Sequence, residues 1–337
     1  MNRSLKKLAR GVATSALFFT LAANIWAAPF TGAAHLSALE RQSLDVLRGS
    51  ERDAEQKERQ VGIRLPAPVR FREESGRGLL VSVWVNGSGP YTFAVDTGAG
   101  ATILSRRVMD EARVAQSGKR SLMIGGISGT STVAGQEVLL RSLAIGEPDN
   151  LLPSSGLVIF TERVAPGIDG VLDPAEAYWP LGFELDMRRG ELTAFDARST
   201  PLRRSQSLSG DGTIVPWLTD GQSRRPFVML EGGQRALLDT GSGFGLALTE
   251  RAAISLGIMP GRGREHQNVR DLGGGLVAAH RVPPSTIRLG ALVLRGIPTD
   301  LLPNASSGSP ILLGRDALRP FRLTFDPVSR LIRIIPG

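Results

Sequence analysis

The sequence predicts a mostly β chain built as two related lobes, on three observations. It carries 40 glycines and 21 prolines in 337 residues, and its apolar runs are short and bounded by turn residues, a pattern of many strands and few long helices. The tripeptide Asp-Thr-Gly occurs twice, at Asp96-Thr97-Gly98 and at Asp239-Thr240-Gly241, each time closing an apolar run. The surroundings of the two copies also repeat. Fifty residues separate Asp96 from Gly146 of Leu143-Ala144-Ile145-Gly146, and 51 separate Asp239 from Gly290 of Ile287-Arg288-Leu289-Gly290. Ninety lead from Asp96 to Asp186 of Phe183-Glu184-Leu185-Asp186, and 87 from Asp239 to Asp326 of Leu323-Thr324-Phe325-Asp326. A glycine-rich stretch, Gly125-Gly126-Ile127-Ser128-Gly129 or Gly273-Gly274-Gly275, lies between the first two landmarks in each half. An internal duplication accounts for these matches.

In chain order, residues 1–27 read as a signal peptide. Arg3, Lys6, Lys7 and Arg10 precede an uncharged apolar run from Gly11 to Trp26, and small residues come next, with cleavage expected after Ala27. If retained, the same run is a membrane anchor just below the usual spanning length; a membrane partner is expected only in that case. The segment points to a periplasmic or secreted protein. Removing those four basic residues and no acidic ones takes the formal charge from +8 to +4. The arginines are scattered, without an aromatic and basic stripe, so no nucleic-acid partner is expected. There is no cysteine, hence no disulfide, thiolate chemistry or cysteine zinc site.

Residues 28–75 hold Leu36, Leu39, Leu44, Val46 and Leu47 ahead of a charged run from Glu51 to Arg59, which reads as a solvated helix or a propeptide-like segment. The first lobe is placed at 76–196. In it the alternating run Leu80–Val85, a turn at 86–90 and the return Tyr91–Val95 form a hairpin that delivers Asp96. Residues 197–213, rich in Arg and Ser with little to bury, are the expected linker. The second lobe, 214–337, repeats the plan: Phe227–Leu230, a turn at 231–233, and the run Ala236–Leu238 leading to Asp239.

An Asp at a strand end, followed by a Gly that lets the backbone turn and approach another chain, presents one carboxylate. The intervening Thr hydroxyl both donates and accepts, so it can lock one loop against a matching one. Two such loops face to face bring together two carboxylates that cannot both ionise easily and therefore share a proton. That pair can activate water by general acid and base catalysis with no metal and no covalent intermediate, and peptide hydrolysis is the natural reaction. A lone Asp-Thr-Gly is an ordinary turn; the duplicated setting is what gives the motif weight. Other chemistries find little support. His35, His266 and His280 lack metal-ligand spacing, Gly126-Ile127-Ser128-Gly129-Thr130 fails the G-x-S-x-G pattern, and no phosphate-binding glycine loop ending in Lys occurs. No cofactor and no metal are expected.

Asp96-Thr97-Gly98-Ala99 and Ile311-Leu312-Leu313-Gly314-Arg315-Asp316 resemble the active-site loop and the later apolar-apolar-Gly-Arg motif of retropepsin-like aspartic proteases. Ile168-Asp169-Gly170-Val171-Leu172 resembles the first lobe of pepsin-type enzymes, which also carry two lobes in one chain. The resemblance covers residues 76–337. It implies a bilobal pepsin/retropepsin-like fold, with two β-barrel-like lobes related by a pseudo-twofold axis and a cleft between them. It further implies that Asp96 and Asp239 are the catalytic dyad, that Thr97 and Thr240 interlock the loops, and that Gly98 and Gly241 form the tight turns. Gly125, Gly126, Ile127 and Ser128 would belong to a flap over the cleft.

Two departures stand out. The only tyrosines, Tyr91 and Tyr178, lie outside the flap segment, and Asp173 comes after Val171-Leu172 where the family has Gly. The loops also differ, with Ala99 after the first Asp-Thr-Gly and Ser242 after the second. A Ser242 hydroxyl bonded to Asp239 would favour the ionised form of Asp239 and make it the base. The expected activity is that of a monomeric aspartic endopeptidase acting on extended polypeptides. A catalytically silent peptide-binding module, or an envelope partner protein of the same fold, is the alternative.

Overall fold

The computed structural model describes residues 64–125, 132–208, 210–221, 223–259, 264–270, 276–305 and 308–337. The expected signal peptide, residues 28–63, and the flap residues Gly126, Ile127 and Ser128 lie outside them. Gly125 is the last residue of the strand Ala115–Gly125. Among the described residues the strands form three sheets, one in each half of the chain and a third built from both.

Each half opens on a hairpin whose inner face is apolar. In the strand Gly78–Val85, Leu79, Leu80, Val81, Val83 and Val85 are all buried. The chain reverses at Asn86-Gly87, both with positive φ (54° and 82°), the two-residue turn whose twist matches that of the flanking strands. The return strand Ser88–Val95 ends one residue before Asp96. In the second half Phe227–Met229 pairs with Arg235–Asp239 in the same antiparallel manner.

Strand order beyond each hairpin fixes the site. The strand after the Asp loop, Thr102–Leu104 or Leu246–Leu248, does not pair with the strand before it. A strand from much later in the chain is inserted between them. Gly170–Leu172 runs parallel to Phe93–Val95 and antiparallel to Ile103–Leu104; Ile311–Gly314 runs parallel to Ala236–Asp239 and antiparallel to Ala247–Leu246. The Asp loop must therefore arch over the end of the inserted strand. Buried on both faces, these inserted strands are apolar throughout, Gly170-Val171-Leu172 and Ile311-Leu312-Leu313-Gly314. A Cβ at Gly170 would meet the ring of Phe93 at 2.5 Å, so the close approach requires glycine.

The shared six-stranded sheet has the order Val69–Arg70, Glu191–Phe195, Gly182–Asp186, Phe321–Asp326, Leu331–Pro336, Thr213–Pro216. Its two middle strands are the repeated landmarks. They pair antiparallel as Phe183 with Phe325, Glu184 with Thr324 and Leu185 with Leu323, so the pair Glu184 and Thr324 sits on the local twofold axis. Phe183, Leu185, Leu323 and Phe325 fill the core on one face, and the Phe183 and Phe325 rings stack at 4.5 Å. On the other face the Thr324 hydroxyl donates to Glu184 Oε2 at 2.7 Å. Asp186 and Asp326 cap the turns at the ends of their strands. Asp186 Oδ1 accepts from the Arg188 and Arg189 amides, and Asp326 Oδ1 from those of Val328 and Ser329. The other landmark glycines are also explained. Gly146 and Gly290 both have positive φ, and a side chain there would strike Val69 in one half and Thr213 in the other, each in the outermost strand of the shared sheet.

Two segments are used differently from the sequence expectation. Residues 69–74 lie within the stretch assigned to a helical or propeptide-like segment, yet Val69–Arg70 pairs with Glu191–Leu192 and Arg72–Glu74 with Gly78–Leu80, closing sheet edges. The expected linker is anchored, with Ala197 and Leu202 buried and the Leu202 amide donating to Asp326 Oδ2 at 2.7 Å.

Candidate active site

The inserted strands and the shared sheet bring the two Asp-Thr-Gly loops against each other. Asp96 is positioned by its amide, which donates to Leu172 O at 2.9 Å, and Asp239 by its register opposite Gly314. The threonines then lock the loops reciprocally. The Thr97 amide donates to Thr240 Oγ1 and the Thr240 amide to Thr97 Oγ1, both at 3.1 Å. The Thr97 hydroxyl donates to Leu238 O at 2.6 Å, and that of Thr240 to Val95 O at 3.2 Å. Each hydroxyl thus gives its one hydrogen to the opposite half and accepts one from it, and both threonines are fully buried.

The glycines hold the carboxyls close. A Cβ at Gly98 would lie 2.8 Å from Asp239 Oδ1, and one at Gly241 would overlap Asp96 Oδ2, so each glycine makes room for the aspartate of the other half. The Gly98 amide donates to Asp96 Oδ1 at 2.7 Å, while the Gly241 and Ser242 amides donate to Asp239 Oδ1 at 3.0 and 3.1 Å. Asp96 and Asp239 are 9% and 7% exposed, whereas Gly241 and Gly243 beside them are open to solvent. The pair therefore lies under a solvent-facing rim.

Burial is the first cause that raises both carboxyls above their ordinary value. On Asp96 the Gly98 amide opposes it, and on Asp239 the charge of Asp96 adds to it. Two acids so placed cannot both ionise easily, so one proton belongs to the pair as a whole. The structure gives the Ser242 hydroxyl a different partner from the expected Asp239. The Ser242 hydroxyl accepts from the Phe244 amide at 3.3 Å, and its support of Asp239 comes through its backbone amide.

Three further groups support the loops and the contact between the halves. Arg315, of the apolar-apolar-Gly-Arg motif, is 8% exposed; its Nη1 donates to Thr240 O at 2.7 Å and Gly241 O at 2.9 Å. Its charge lowers both aspartates, opposing the effect of burial. It also crosses to the first half, pairing with Glu73 at 3.3 Å. A second crossing joins Arg224 to the buried Glu176, with the Arg224 guanidinium 4.3 Å from the centre of the Trp179 ring. Asp173, where the family has Gly, is fully buried and caps the short helix Pro174–Ala177, its Oδ1 accepting from the Ala175 amide at 2.9 Å. Sequence reasoning registered Arg315 and Asp173 as motif positions without giving them a role. It gave none to Glu73, Glu176 or Arg224, whose partners lie far off in the chain.

A search of the curated proteins returned no significant match. A family model described as aspartyl protease matches residues 81–169 and 232–317, one segment in each half and together just over half of the sequence. The first segment spans the Asp96 loop, and the second spans the Asp239 loop and Arg315. By these two matches, the chain belongs to the aspartyl protease family.

Proposed function

We propose that this protease is an endopeptidase in which Asp96 and Asp239 activate a water molecule to cleave extended polypeptides. The observation that carries the reading is the reciprocal packing of each loop glycine on the other half's aspartate, which leaves two buried carboxyls to share one proton. In the reaction the ionised member of the pair takes a proton from water while the protonated member gives its proton to the scissile carbonyl oxygen. The resulting tetrahedral diol collapses as a proton passes to the leaving amine, the C–N bond breaks, and the pair is restored with one proton. An extended substrate adds backbone hydrogen bonds in the manner of an additional strand, with pockets reading alternate side chains. The basic start and apolar run of residues 1–27 support a periplasmic or secreted site of action.

The test is cleavage of a diverse peptide library across acidic and neutral pH, with products identified by mass. The parent chain is expected to cut internal bonds, and Asp96→Asn and Asp239→Asn to lose on the order of 1,000-fold in rate. Peptide binding without cleavage by the parent chain, or cleavage that survives Asp96→Asn, would overturn the reading.

A further inference from the structure

The two inserted strands end on different residues. In the second half Gly314 lies opposite Asp239 in register. In the first half the pairing ends with Leu172 on Val95, the Asp96 amide donates to Leu172 O, and the chain continues from Leu172 directly into Asp173, within reach of the charge of Asp96. Asp173 is 0% exposed, and its Oδ2 has no hydrogen-bond partner among the described residues. A buried carboxyl with one oxygen unsatisfied is costly, and capping a four-residue helix uses only Oδ1.

We propose that Asp173 is a positioning residue of the active site, a third carboxyl that titrates together with the Asp96 and Asp239 pair and helps it keep the shared proton as pH rises. The proposal rests on the hydrolytic reading of that pair. The groups around Asp173 are mostly acidic or neutral. Glu176 comes from its own helix, with its charge matched by Arg224. Thr102 Oγ1 accepts from the Asp173 amide. The charge of Asp96 acts on it, and Asp239 and Arg315 act in turn on Asp96. Burial first, then the charges of Glu176 and Asp96, hold the Asp173 carboxyl well above its ordinary range. Once Asp173 ionises, its charge disfavours a second negative charge on the pair, so the pair gives up its shared proton only at higher pH.

The pH profile of kcat/KM is the test, because a purely structural role would change its height and leave its shape alone. In Asp173→Asn, which keeps the helix cap, the alkaline limb is expected to fall by about one pH unit with the acid limb in place. Superposed profiles, an alkaline limb moved upward, or a uniform loss at every pH would overturn the proposal. If the Asn variant does not fold, Asp173→Gly, carrying the residue found opposite Asp239, is read in the same way.

Should the parent chain cleave nothing, the hydrolytic reading fails on its own, and urea unfolding from pH 4 to pH 8 still reports on the cluster. An acid whose folded-state pKa is raised gives stability that is complete below its unfolded value and is lost as pH rises through the folded one. The parent midpoint is expected to fall over this range and that of Asp173→Asn to fall less; equal slopes would refute a coupled third acid.

Discussion

Thr97→Val removes one hydroxyl at constant shape and tests the interlock between the loops. Two groups of the opposite half lose their partner: Leu238 O, which accepts from Thr97 Oγ1 at 2.6 Å, and the Thr240 amide, which donates to it at 3.1 Å. Both residues are fully buried, so water cannot replace the lost hydroxyl. Each stranded group costs about 1–3 kcal/mol, for a total of about 2–6 kcal/mol. With a urea slope of about 3 kcal/mol per M, the upper end for small proteins, a loss of about 3 kcal/mol lowers the unfolding midpoint by about 1 M. Thr97→Ser keeps both bonds and gives up only a buried methyl, about 0.8 kcal/mol. Valine should therefore be clearly less stable than serine at this position. Equal midpoints for valine and the parent chain, or serine falling below valine, would refute the hydrogen-bonded interlock.

Two further outcomes are expected from the same geometry. Gly241→Ala puts a methyl onto the Asp96 carboxyl, forcing the pair apart; kcat should fall on the order of 100-fold, measured beside thermal unfolding to show that the fold survives. Arg315→Met removes a cation that lowers both aspartates, so the acid limb of the pH–rate profile should move to higher pH. Arg315→Lys should restore much of the limb's position without restoring the two bonds to Thr240 O and Gly241 O, a separation that kinetics and unfolding measured on the same samples will show.

Much of this arrangement was legible because it is repeated along the chain. Gly146 and Gly290 recur because each half lays a positive-φ glycine against an outer strand of the shared sheet, and Asp186 and Asp326 because each hairpin turn needs its amides capped. The strand ends at Asp96 and Asp239 are set by apolar runs closed by Asp-Thr-Gly. The features that escaped depend on contacts with no local signature. Glu73 reaches Arg315 and Arg224 reaches Glu176 only after folding has brought the halves together. The direction of the Ser242 hydroxyl was decided by a neighbouring amide two residues on. Val69–Arg70 and Arg72–Glu74 are too short and too charged to read as strands without their partners.

The residues on the local twofold carry a consequence of their own. If two identical polypeptides formed this sheet, the residue at its centre would have to meet its own copy, carboxylate on carboxylate or hydroxyl on hydroxyl. Here Glu184 meets Thr324. Joining both halves in one continuous backbone releases every such site from self-complementarity, and it gives left and right separate freedom to diverge. An acid at 173 against bare glycine at 314, or alanine at 99 against serine at 242, is open only to a molecule whose mirror positions are written independently.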